Sequence, residues 1–200
     1  MKNRIIKKAQ EQFLQFGYSR VRVSDIATEL AISKKTVYNH FKGKEELLYS
    51  VIENFQDEIE SQLEELEQEQ RTDYRDEVFA ELEVVGNWVN KLSLLLHDLK
   101  RTFPKAYEQL WKAEREIIVE RTMKKLEKGV SLGLLHADQR TQIAMVVFLL
   151  ATQRIAEPDF KDTIPQKLLE NLPGDPRELL REIVLLISEG IKRNDTNDYE

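Results

Sequence analysis

Apolar residues recur every three to four positions along almost the whole chain, and no stretch alternates as a half-buried strand does. The pattern predicts an all-helical protein. A first helix is expected at about 3–16, with Ile5, Ala9, Phe13 and Phe16 on one face and Gly17 ending it. A second is expected at about 24–30, with Ile26, Ala27 and Leu30 inward. Ser33 is the natural cap of a third, about 34–41, carrying Val37 and Phe41 inward. Lys44 opens a long fourth helix with Leu47, Val51, Ile52, Phe55, Ile59, Leu63 and Leu66 at helical spacing. Thr72 or Asp73 caps a fifth, reaching about Leu99. Pro104 suits the first turn of a sixth, which runs to about Val130 and stops near Gly133. Asp138 caps a seventh through about Ala156. Three prolines make 157–175 a loop with one helical turn, and Asp175 with Pro176 opens a last helix to about Lys192. The tail RNDTNDYE is polar and expected to fray.

Charge changes the picture. The net charge is −6, yet residues 1–50 hold ten Lys/Arg against five Asp/Glu, while the remainder holds twenty against thirty-one. A basic head (+5) therefore sits on an acidic body (−11), and only the head suits a phosphate backbone. With no cysteine there is no disulfide framework, thiolate metal site or thiol nucleophile. The first residues, MKNRIIKKAQEQF, lack the apolar core of a signal peptide, and the longest apolar run, IAMVVFLLA at 143–151, is too short to span a bilayer. A cytoplasmic protein with no membrane partner is expected.

The chemistry concentrates in residues 22–47, RVSDIATELAISKKTVYNHFKGKEEL. Two short amphipathic helices, a tight turn and a third helix start have the build of a helix-turn-helix. Val37 and Phe41 support the second short helix, and Lys34, Lys35, Thr36, Tyr38, Asn39 and His40 occupy its outer arc. Asn pairs with adenine, Lys reaches guanine, and Thr or Tyr meets a thymine methyl or a phosphate. The same residues also fit a plain solvated basic face.

The order and spacing of this window resemble the TetR family of transcriptional regulators. The resemblance rests on Phe16-Gly17, Asp25-Ile26-Ala27, Ser33, Thr36-Val37-Tyr38, His40-Phe41, and Lys44-Glu45 with Leu47. It covers about 45 residues, and the other 150 agree only in being helical. It implies that Thr36 and Tyr38 contact DNA, that His40 and Lys44 meet phosphate, that Ser24 touches phosphate, and that Lys35 falls where the family varies. Lys2, Arg4, Arg20 and Arg22 join the candidates on charge alone. Two positions depart from the family pattern. Ala31 stands where Gly is usual, and at positive φ an Ala costs roughly 1 kcal/mol. Arg22 stands where Thr or Ser usually caps the second helix, which leaves Ser24 to cap one turn later.

The body is less specific. Trp88, Phe103, Tyr107 and Trp111 cluster on two successive helices, with His97, Asn87 and Gln153 as polar neighbours. Such aromatics are ordinarily core, and they also suit an apolar ligand pocket lined by Trp88, His97, Phe103, Tyr107, Trp111 and Gln153. The acidic residues from Asp57 to Glu69 surround an apolar stripe and read as a solvated face. His97-Asp98 suggests a metal phosphohydrolase, but the chain has three histidines and none of the common catalytic or phosphate-binding motifs. No enzyme, cofactor or metal is expected. The last two helices, about 139–156 and 176–192, carry apolar faces that serve a monomer core, a two-fold homodimer, or both; the resemblance implies the dimer.

The expectation is a DNA-binding head at 1–46 and a helical effector-binding and dimerisation domain at 47–200. The pair forms a repressor on a near-palindromic double-stranded DNA operator, released by a small, largely apolar effector. Control by a protein partner without a pocket, and a helical interaction module that no longer reads DNA, are the alternatives.

Overall fold

The computed structural model describes residues 1–69, 71, 73–155, 157 and 159–191, with the side chains of 113, 114 and 188–191 outside that description. Nine α-helices are described: α1 Lys2–Phe16, α2 Val23–Glu29, α3 Lys34–Tyr38, α4 Lys44–Gln68, α5 Tyr74–Thr102, α6 Pro104–Ser131, α7 Gln139–Ile155, α8 Gln166–Leu169 and α9 Pro176–Ile191. A single 3-10 turn, Lys161–Thr163, precedes α8. The expected loop at 157–175 thus holds two helical turns rather than one. Thr72, Ala156, Lys192 and the polar tail, which bound or follow expected elements, lie outside the described residues.

The caps follow the sequence. Asp73 accepts from the Arg75 N–H at 2.7 Å, Asp138 from the Thr141 N–H at 3.0 Å, and Asp175 from the Arg177 N–H at 2.9 Å. Each carboxylate also complements the positive end of the helix it starts. Phe16 corrects the first-helix face: it is 45% exposed. Gly17, at φ 79°, turns the chain, and Tyr18 meets Phe13 at 5.5 Å between ring centres instead.

A continuous core begins at Ile5, Ala9 and Phe13 of α1 and takes in Ile26, Val37 and Phe41. It runs along α4 through Val51, Phe55 and Leu63, and into α5 and α6 through Trp88, Leu92, Leu95, Leu99 and Leu110. Helix α4 is therefore shared by the head and the body, and the core crosses the boundary expected at 46. A smaller cluster at Leu82, Ile155 and Leu180, with Phe79, Phe148 and Ile183 packed on it, ties α5, α7 and α9 together. So part of the α9 apolar face is spent inside the subunit.

The turn between α2 and α3 is a Schellman motif. The Ala31 N–H donates to the Thr28 carbonyl and the Ile32 N–H to the Ala27 carbonyl, each at 3.0 Å. Its left-handed seat is held by Ala31 at φ 53°. The end of α6 repeats the bonds, with Gly133 donating to Val130 at 2.9 Å and Leu134 to Gly129 at 3.0 Å. There the left-handed seat is Gly133 at φ 70°. One chain thus builds the same motif twice and strains it once. Ala31→Gly is expected to stabilise the fold by roughly 0.5–1 kcal/mol, raising Tm by about 2 °C. A thermal melt that moves down would show the turn gains nothing from glycine.

Candidate functional site

Helix α3 is five residues long and is held in place from both ends. Ser33 Oγ accepts the Thr36 N–H at 3.0 Å and shares a hydrogen bond with the Thr36 hydroxyl at 2.9 Å. Val37, 1% exposed, fixes the inner side, and Phe41 anchors the exit. The helix ends at Tyr38, three residues short of the expected Phe41, and the chain closes in a turn in which the His40 and Phe41 N–H groups both bond the Val37 carbonyl at 3.0 Å. Asn39 and His40 accordingly stand on the exit turn, not on the helix. Lys34, Lys35, Tyr38, Asn39 and His40 are exposed and form one polar ridge, with Thr36 half-buried among them. Lys2 of α1 lies with its ammonium 5.8 Å from the Phe41 ring centre, beside this ridge. A cationic, hydroxylated and amide-bearing edge on a rigid short helix can pair with base edges and phosphates.

Helix α2 starts at Val23, and Arg22 is its N-cap. The Arg22 N–H donates to Asp25 Oδ2 at 3.2 Å, which is one arm of a capping box. Ser24 is therefore not the cap. It lies inside the first turn, half-buried, with its hydroxyl donating to Asp25 Oδ1 at 3.2 Å.

Lys44 lies apart from the ridge. Its ammonium sits 4.2 Å from the Tyr18 ring centre and 3.5 Å from the Ser19 carbonyl oxygen. Burial pulls its pKa down, with the Asp98 carboxylate opposing that shift. Lys44 thus faces the seam between head and body, not the open ridge.

Asp98 organises that seam, and no reading of the sequence singled it out for this. It is a body residue on α5, 6% exposed. Its Oδ2 accepts the Ser19 N–H at 2.6 Å and its Oδ1 accepts the Ser19 hydroxyl at 2.8 Å. Gly17 is pressed against it so closely that a Cβ there would lie 3.0 Å from the carboxylate. The sequence offered only His97-Asp98, which suggested a metal site. His97 is in fact exposed, and no cluster of metal-ligating residues occurs among the described residues.

Three adjoining cavities lie between the body helices, of about 100, 320 and 540 Å³. Trp88 and Trp111 wall the smallest, and Trp111 and Gln153 wall the second. The other expected pocket residues are placed elsewhere. Phe103 packs in the seam against Tyr18 and Tyr49, at 5.8 and 6.1 Å between ring centres. Tyr107 stacks on Trp111 at 6.2 Å, and neither it, Phe103 nor His97 lines any of the three cavities. The smallest cavity has a charged floor that went unnoticed in the sequence. Arg121 and Lys125 reach it one helical turn apart on α6, with Glu81 of α5 between them. Burial, aided by Glu77 and Glu81, pushes the nearby Tyr74 phenol up to about 12, where it donates to the Lys125 carbonyl at 2.8 Å. The i, i+4 spacing of Arg121 and Lys125 was the available signal.

Residues 5–51 match the profile of bacterial regulatory proteins of the tetR family. The HTH-type transcriptional regulator YerO of Bacillus subtilis (strain 168) is 43% identical over 54 residues, which is 27% of this chain and 19% of that relative's length. Solved structures share the fold over nearly the full length. A transcriptional regulator from Saccharomonospora viridis, in complex with choline, has a TM-score of 0.70 at 17% identity, covering 96% of this chain and 98% of that one. A TetR/AcrR regulator from Thermobifida fusca has a TM-score of 0.65 at 21% identity, covering 96% and 98%. The fatty acid degradation regulator FadR from Bacillus halodurans has a TM-score of 0.62 at 16% identity, covering 96% and 100%.

Proposed function

We propose that this chain, whose N-terminal domain belongs to the tetR family of bacterial regulatory proteins, is a homodimeric DNA-binding repressor released by a small molecule. The observation that carries the proposal is the exposed ridge of Lys34, Lys35 and Tyr38 on a helix locked by Ser33 and Val37, continued by Asn39 and His40 on its exit turn. In this reading α3 enters the major groove and the +5 head meets the phosphates, while the −11 body points away.

Ile143, Val146, Val147 and Leu150 of α7 and Leu186 of α9 are at least half exposed. A two-fold pairing of α7 and α9 removes that apolar surface from water and doubles the reader helix. Two reader helices roughly 34–36 Å apart match successive major grooves, so a near-palindromic operator follows. Cavities reaching about 540 Å³ support an effector in the body, and weigh against control by a protein partner over a solid core. A ligand that favours a dimer with mismatched heads weakens operator binding, and the operator weakens the ligand by the same factor.

The test begins with selection of bound duplexes from a random-sequence pool. The expected product is a pair of inverted half-sites, shifted as a dimer complex on a native gel. Titration with a panel of apolar and amphipathic compounds should release the DNA in at least one case. A selected site without two-fold symmetry would remove the dimer reading. An insensitive complex across the panel would remove the effector.

A further inference from the structure

The lining charges of the body cavities run against the charge of the body. Residues 51–200 carry −11, yet the smallest cavity is lined by Arg121, Lys125 and Glu81, a net +1. The second has Arg115 as its one charged lining residue, and the largest has Arg75, Lys125 and Asp73. Each apolar cavity therefore presents one cation in excess. The first shares Trp111, Ile118 and Thr152 with the second, and Val78, Lys125 and Phe148 with the third, so the three adjoin across common walls.

Arg121 is the cation best placed to use it. Its side chain is 14% exposed, and both of its ion pairs run from Nη1: to Glu67 Oε1 at 2.8 Å and to Glu81 Oε1 at 3.2 Å. Nε and Nη2 hold no such bond among the described residues, and that edge of the guanidinium can grip a carboxylate with two parallel N–H donors. Lys125 stands one turn away, bonded to Glu77 and Glu81 at 3.3 Å each. Glu67 and Glu77 do not line the smallest cavity; they line an adjoining polar cleft with Lys128, which Glu81 and Lys125 also border. The rest of the wall is aliphatic and aromatic: Ile59, Leu63, Leu82, Trp88, Trp111 and Phe148.

We propose that the body binds an anionic amphipath, a carboxylate on an apolar body, with its headgroup on Arg121 and Lys125 and its tail among Trp88, Trp111 and Phe148. This rests on the ligand-released reading above and narrows it to one chemical class. A cation in the same space would face Arg121 and Lys125 with only Glu81 to receive it. A neutral alcohol offers one uncharged acceptor oxygen where a carboxylate offers two that carry the charge, so it makes the weaker pair with the guanidinium edge.

Trp88 and Trp111 are the only tryptophans in the chain and both wall the cavity, so the emission of the full-length protein reports occupancy. The probes are decanoate, decylamine and decan-1-ol, equal in tail and different in head. Decanoate should change the emission saturably, with an affinity at least about tenfold above either other probe. Arg121→Gln should lower decanoate affinity by about tenfold or more and leave decan-1-ol unchanged. Arg121→Lys, which keeps the charge and loses the paired donors, should fall between. Equal binding of all three probes by the wild-type protein, or tighter binding of decylamine, overturns the carboxylate assignment while the ligand-released reading stands. Unchanged decanoate affinity in both Arg121 variants overturns it as well. No saturable change with any probe removes the cavity as a ligand site altogether. The wild-type comparison of headgroups decides the matter even if Arg121→Gln does not fold.

Discussion

Thr36→Ala combined with Tyr38→Ala should lower affinity for the selected duplex by about 100-fold while the melting temperature stays within about 2 °C of the parent. Each base or phosphate contact is worth roughly 1–3 kcal/mol, and the two residues share one turn of the reader helix. Tyr38 is 52% exposed and packs on nothing in the core, so its loss costs the fold little. Thr36 is half-buried, but its structural bond is the backbone one. Ser33 Oγ still accepts the residue-36 N–H after the hydroxyl is gone, so α3 keeps its cap. Val37→Ala provides the contrast. That side chain is 1% exposed, and removing it should loosen the whole head and weaken DNA binding through stability. Affinity measured by anisotropy and melting measured by circular dichroism separate the two cases. Full affinity in the Thr36/Tyr38 double variant would mean that the ridge does not read DNA, and the helical interaction module would become the better reading.

The head was legible in sequence because its signals are local. Ser33 lies three residues before Thr36, Val37 lies four before Phe41, and Ala31 follows α2 at the Schellman seat, so each depends on neighbours a few positions away. Even the strain at Ala31 was foreseeable, since only the backbone angle was missing. The failures were also local where one signal competed with another. Arg22 lacks a capping side chain, yet Asp25 bonds its backbone from three residues on, so α2 starts two residues earlier than a Ser24 cap would place it. What stayed hidden in the body is non-local. Asp98 and Ser19 are 79 residues apart, and nothing in either segment announces the other. Four aromatics at helical spacing looked equally able to line a pocket or fill a core. The fold divided them, sending Trp88 and Trp111 to the cavity wall and Phe103 to the head–body seam. Arg121 and Lys125 looked like ordinary members of a charged helix until α5 brought Glu81 between them.

Asp98→Ala should cost about 2 kcal/mol of stability, a fall in Tm of roughly 4–8 °C, and should uncouple the head from the body. The carboxylate makes two charge-assisted bonds to Ser19, at 2.6 and 2.8 Å, from a site nearly closed to water. Removing it frees the α1–α2 turn on one side and leaves Lys44 without the carboxylate that offsets its burial. Asp98→Asn keeps an acceptor for the Ser19 N–H, and the Ser19 hydroxyl can turn to accept from the new amide, so most of the stability should return. The functional consequence follows from the position of Asp98 on α5. Val89 of the cavity wall lies nine residues back along the same uninterrupted helix, about 13 Å at the rise of an α-helix. A ligand that shifts α5 moves Asp98 with it, and Asp98 holds the turn that feeds α2 and then the reader helix. Asp98→Ala should therefore bind the duplex and decanoate separately, while the factor by which each weakens the other shrinks toward one. An unchanged melting temperature would show that the clasp contributes nothing to the fold. A retained coupling factor would route the signal through α4 alone, the other helix that runs from the cavity into the head core.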